Sequence, residues 1–167
     1  MEEILLNYQG IIGAITGTVL GTVSTLITTH ILRNYGKVET TIFDIDFEKH
    51  DADPLNSHEG IRLNFKVKFY NMSESSKVLD DFEIIFLNDK NVELLRIVPN
   101  DLDTFRTSQY SRHIDKLYFV NLSPKQLTLK KIGVYVSDKE IEDLDSIKVI
   151  KLKYFNKRNK KHVIYKK

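Results

Sequence analysis

The chain contains neither cysteine nor tryptophan. Without thiols it forms no disulfide, and no zinc cluster built on cysteine is open to it. Cysteine usage therefore says nothing about compartment. The glycine-rich signatures of phosphate binding are missing as well: there is no GxxxxGK[ST] and no GxGxxG following a strand. A G-x-S-x-G nucleophile elbow is also lacking. No catalytic residue, metal or cofactor is assigned on these grounds, and the chain reads as a non-enzyme. No low-complexity linker or internal repeat divides it. Two further absences are local: no side chain from Ile4 to Leu32 is charged (His30 counted as neutral), and no acid occurs from Lys151 to Lys167.

The uncharged run is long enough to cross a bilayer, which takes roughly 20 apolar residues at about 1.5 Å each. The reading is a short acidic tail over 1–9, a transmembrane helix over 10–32 and a juxtamembrane connector over 33–39. One domain follows over 40–167. Four glycines and seven Ser or Thr crowd the helix. In water each glycine would weaken a helix by up to about 1 kcal/mol. In lipid the backbone has no other hydrogen-bond partner, so the helix is enforced. Hydroxyls are tolerated there because they bond back to the carbonyl four residues earlier.

Gly10, Gly13, Gly17, Gly21, Ser24 and Thr28 step by three and four, so they share one helical face. Ile12, Ile15, Val19, Val23, Leu26 and Ile27 take the other side. A smooth stripe lets a second helix approach closely, and Gly13, Gly17, Gly21, Ser24 and Thr28 are the residues expected to carry self-association or docking on another membrane protein. The acidic start Met1-Glu2-Glu3 and the lack of a small-residue cleavage site argue against a removed signal peptide. Arg33 and Lys37 follow the span while Glu2 and Glu3 precede it, so the positive-inside rule places the C-terminal domain in the cytoplasm.

Beyond the helix the signal is period two. Ile61, Leu63, Phe65, Val67 and Phe69 alternate with Arg62, Asn64, Lys66 and Lys68, which is a half-buried strand of an antiparallel sheet. Thr41, Phe43, Ile45 and Phe47 give a preceding strand, and Phe82, Ile84 and Phe86 a following one. Asn88–Asn91 reads as a tight turn into a strand over 92–97. Further strands are expected over 117–121, 127–136, 147–155 and 162–165. Within 146–155 the alternation changes phase between Val149 and Ile150, as a bulge or a crossing between sheets would produce. Residues 139–144 suggest a turn or two of helix, and 101–110 a short helix or an irregular loop. Seven or eight short strands with polar turns predict a mainly β sandwich of two sheets.

The pattern Asn71-x-Ser73, then Val78 to Phe86, then Asn121-Leu-Ser-Pro124 ahead of another strand resembles immunoglobulin-like sandwich domains on small membrane-anchored proteins of Gram-positive bacteria and their phages. The Cys…Trp…Cys core of antibody-type domains is absent. The resemblance implies a binding or structural module and brings no catalytic residues with it.

Three further groups invite a function. The loop holding His50, Asp51, Asp53, His58 and Glu59 has ligand-type side chains, but its spacing matches no recognised metal site. Arg106, Tyr110, Arg112 and His113 gather in the longest irregular stretch, where partner binding tends to sit. Lys157, Arg158, Lys160, Lys161, Lys166 and Lys167 form a basic C-terminus suited to anionic lipid, at about 1 kcal/mol per lysine. Nucleic acid is the disfavoured ligand, since Tyr154, Phe155 and Tyr165 are the interleaved aromatics and fit strand positions. Lysines on a terminal strand also discourage edge-to-edge pairing.

The expected function is that of a single-pass membrane protein. Its sandwich binds an unidentified protein partner at the bilayer surface, and its helix forms a homo-oligomer or joins another membrane protein. The alternative is a small channel- or holin-like oligomer built on the Thr-rich helix.

Overall fold

A computed structural model describes residues 2–34, 36–50, 59–108, 112–141 and 143–166. One helix, α1 (Glu2–Asn34), precedes ten strands among the described residues: β1 (Val38–His50), β2 (Gly60–Asn71), β3 (Lys77–Leu87), β4 (Glu93–Ile97), β5 (Asn100–Thr107), β6 (Arg112–Lys116), β7 (Phe119–Leu122), β8 (Leu127–Ser137), β9 (Val149–Asn156) and β10 (Arg158–Lys166). A single 3₁₀ turn, Leu144–Ser146, lies before β9. The strands form two antiparallel sheets. One runs β1-β2-β8-β5-β6; the other runs β10-β9-β3-β4, with β7 also paired to β3.

The alternation in β2 does what its period requires. Ile61, Leu63, Phe65, Val67 and Phe69 are buried, and Ile132, Val134 and Val136 of the adjacent β8 join them. Leu79, Phe82, Ile84 and Phe86 of β3 and Ile150, Leu152 and Tyr154 of β9 face them from the other sheet. Phe69, Phe82 and Tyr154 pack as an aromatic trio with centroids 5.5–5.9 Å apart. Burial of each such side chain contributes about 1.5–3 kcal/mol.

Bulges set the phase elsewhere, and they correct two readings. The β1–β2 register slips between Phe43 and Asp46, and Asp44 has φ of 50°. Ile42 and Phe47 therefore pack on the core, while Ile45 is exposed and Phe43 lies under the Lys68 ammonium on the outer face. Thr41, Phe43, Ile45 and Phe47 do not share one face. The phase change near Val149 also has another origin. Val149 packs with Ile85 and Leu87 in a small outer cluster. Ile147 sits in the main core from a position ahead of the strand. The extra residue lies in the partner strand, since Val163 pairs with Lys151 and Tyr165 with Ile150.

Eight strands lie at or near the expected runs. The two others are β5 and β6, so residues 101–107 are a strand rather than a helix or loop. Polar residues with few apolar positions hid this pair from period-two reading.

The strands give the domain two ends. The near end holds the start of β1, the β2–β3 turn, the start of β3 and the β9–β10 hairpin; the far end holds the β3–β4 turn and the pairing of Gly60 with Ser137. Eleven residues of β3 separate the ends by ~33 Å. The connector from α1 enters at the near end, where the Met72 N–H donates to the Lys37 carbonyl at 3.0 Å. That turn is organised by Asn71, fully buried. Its amide donates to the carbonyls of Ser75, Leu122 and Ser123, and its oxygen accepts from the Ser73 N–H and hydroxyl.

Candidate functional site

The basic C-terminal run is divided by strand geometry. Lys157 occupies the tip of the β9–β10 hairpin with φ of 57°. Lys160 faces a near-end cavity that Lys157 also lines, together with Lys37 of the connector and Lys77, the first residue of β3. Lys161 is the next residue on a strand whose side chains alternate, so it takes the opposite face. Lys166 pairs with Val149 at the far end. The Arg158 side chain and Lys167 lie outside the described residues. The lysines therefore form one near-end group, with the remainder spread along an edge strand. Lys77 is largely buried, and its pKa is lowered by burial and then by the Lys157 ammonium. Lys37 and Lys77 stand far from the run in sequence, and charge counting gave no reason to join them to it.

The second group lies on the β5–β6 hairpin. Arg106 pairs with His113 and Thr107 with Arg112. Asp115 draws two of these side chains together: His113 Nε2 lies 2.9 Å from one carboxylate oxygen and the Arg106 guanidinium 3.6 Å from the other. Both basic side chains remain largely exposed. Arg112 is exposed at the start of β6, and Tyr110 lies outside the described residues. The arrangement is a polar hairpin whose cations are partly matched by an acid of the same strand pair. An anion would have to compete with Asp115.

On α1, the positions of Gly10, Gly13, Gly17 and Gly21 are open: an added Cβ meets nothing within 4 Å. Thr16, Thr18, Thr22 and Thr25 each donate to the carbonyl four residues earlier, at 2.7–2.8 Å. Ser24 and Thr28 are exposed on the same helix. Of the ligand-type loop, residues 51–58 lie outside the described residues.

A polar contact between the sheets escaped sequence reading. The Tyr154 hydroxyl, on a fully buried ring, lies 2.6 Å from Thr40 Oγ1 of β1 and 3.3 Å from His162 Nε2 of β10. The Tyr154 and His162 rings stack at 5.5 Å. Burial raises the phenol pKa, and the Thr40 hydrogen bond opposes part of that rise. Burial holds the imidazole below its usual range, with the Lys160 ammonium acting in the same direction. On the outer face of the sheet that carries Tyr154 and His162, Glu83 accepts from Lys153 at 2.6 Å and Arg96 at 3.0 Å. Burial would raise its pKa, but those two cations outweigh it and hold the carboxyl low. Neither group was marked by a spacing in sequence; each is assembled across strands.

The model of the YopI Ig-like domain family matches residues 36–167. The SPbeta prophage-derived uncharacterized protein YopI of Bacillus subtilis (strain 168) is 30% identical over 152 residues, spanning 85% of this chain and 83% of that protein. Among solved structures, the putative ApaA protein of Bordetella pertussis aligns with 79% of this chain and 91% of its own, at 8% identity and a TM-score of 0.41. Northeast Structural Genomics Consortium target SoR45 aligns with 81% of this chain and 85% of its own, at 10% identity and a TM-score of 0.39.

Proposed function

From residue 36 to 167 the chain belongs to the YopI Ig-like domain family, and on that premise we propose that it is a single-pass membrane protein whose domain is a binding module held at the bilayer surface. The observation that carries this reading is the state of α1. Gly10–Ile31 is long and apolar enough to cross a membrane, and none of it is buried against the domain. A helix serving a soluble core would hide its apolar face. Here Ile11, Ile12, Ile15, Leu20 and Leu26 are all more than half exposed, a surface suited to lipid.

Arg33 and Lys37 support a cytoplasmic domain by the positive-inside rule. The open glycine stripe supports self-association or docking on another membrane protein. The exposed β5–β6 hairpin, with Arg106, Arg112 and His113, is the surface we assign to a protein partner. The reading is non-enzymatic, by analogy with Ig-like sandwiches alone. The prophage origin named for the Bacillus subtilis relative supports a phage-related role. The channel-like alternative is weaker, because four threonine hydroxyls are committed to their own helix backbone rather than to a lumen.

Single-cysteine labelling tests the reading, and the native chain offers no competing thiol. Asp89→Cys, in the exposed β3–β4 turn, is treated with an impermeant maleimide before and after cell lysis. Labelling only after lysis, with the chain retained in membranes at alkaline pH, is the expected result. Labelling of intact cells would reverse the orientation. Release at alkaline pH would remove the anchor.

A further inference from the structure

Four lysines from three stretches of the chain line one near-end cavity of about 350 Å³. Lys37 comes from the connector, Lys77 from β3, Lys157 from the hairpin tip and Lys160 from β10, with Asn156 beside them. No acid is among the described residues that line it. Lys157 sits at the hairpin tip with φ of 57°. The volume falls at the small end of the range for ligand pockets. The ammonium groups of Lys37, Lys157 and Lys160 and the neutral amide of Asn156 form a donor set for a compact, polyoxygenated anion.

We propose that this cavity binds a phosphate group, supplied by the headgroup of an anionic phospholipid. The inference rests on the membrane-anchored reading, which determines the source of the phosphate. α1 ends at Asn34, two residues before Gly36, and the connector is bonded to the β2–β3 turn. A spanning α1 therefore holds the cavity within a few residues of the headgroup layer, where tethering makes the local headgroup concentration high. This differs from diffuse attraction of a basic tail, because position in the cavity matters and total charge alone does not. Lys161 and Lys166 carry the same charge on the same strand but lie outside it.

The test uses the full chain in neutral detergent micelles, titrated with short-chain phosphatidylglycerol, short-chain phosphatidylcholine or inorganic phosphate, with thermal unfolding as the readout. Phosphatidylglycerol should raise Tm saturably, and phosphatidylcholine, whose choline repels lysine, should do so much less. Lys157→Gln with Lys160→Gln should weaken the phosphatidylglycerol response about tenfold or more, and Lys161→Gln with Lys166→Gln less than about twofold. Lys37→Gln, outside both sheets, repeats the comparison if the hairpin pair does not fold. Equal losses from the two pairs would overturn the cavity in favour of diffuse charge, as would a non-saturable response. Inorganic phosphate acting as well as the lipid would overturn the lipid source. The micelle assay does not depend on anchoring. Retention at alkaline pH with a failed titration removes this inference alone, whereas alkaline release removes the anchored reading and the lipid source together.

Discussion

Gly36 lies directly against the backbone of Ser73, so closely that a Cβ on the glycine would overlap the serine Cα. The residue that joins α1 to the domain is thus packed on the β2–β3 turn. Gly36→Ala should destabilise the domain by about 1–3 kcal/mol, the cost of forcing atoms into filled space. Thermal unfolding of the full chain in micelles measures it. An unchanged melt would show that the connector is not seated on that turn.

Asn71 should prove one of the costliest polar side chains to remove. Asn71→Ala strips three carbonyls and the Ser73 N–H and hydroxyl of their buried partner. A loss of about 3 kcal/mol is expected, because unsatisfied buried groups cost more than a bond contributes. Denaturant titration provides the value, and a change below about 1 kcal/mol would contradict this role.

The depressed His162 pKa makes stability depend on pH in a definite direction. Folding favours the neutral imidazole, so the unfolded chain binds more protons once pH drops towards the unfolded value of about 6.5. The contribution is fully present above that value and is lost as pH falls through the lower folded pKa. His162→Gln should flatten the fall in Tm between about pH 7 and pH 5. Parallel curves for the two proteins would show that the ring beside Tyr154 is not titrating in this window.

If the glycine stripe carries association, Gly17→Leu should turn a micelle-solubilised oligomer into a monomer, whereas Val19→Leu on another part of the helix should not. Light scattering after size exclusion separates the outcomes. Equal masses for both variants would remove the stripe from the account.

Sequence periodicity revealed the sandwich because one-sided burial writes itself as period two, as in Ile61–Phe69. It failed at Asp44, where a bulge moves Ile42 and Phe47 to the core, and over β5–β6, where sparse apolar residues leave little pattern to read. Asn71-x-Ser73 was visible as a motif, yet two of the five hydrogen bonds of Asn71 go to the carbonyls of Leu122 and Ser123, which only folding brings near. The candidate site divides in the same way. Lys157 and Lys160 stood out in a basic run, while Lys37 and Lys77 joined them through topology.

An anchoring α1 turns the lysine-lined end of the domain towards the bilayer. Ser76→Cys at the near end and Asp89→Cys at the far end, each carrying a fluorophore, would be reconstituted in vesicles containing headgroup-spin-labelled lipid. Strong quenching is expected at residue 76 and little at residue 89, some tens of ångströms away. Quenching that is equal at both sites, or stronger at residue 89, would contradict that orientation.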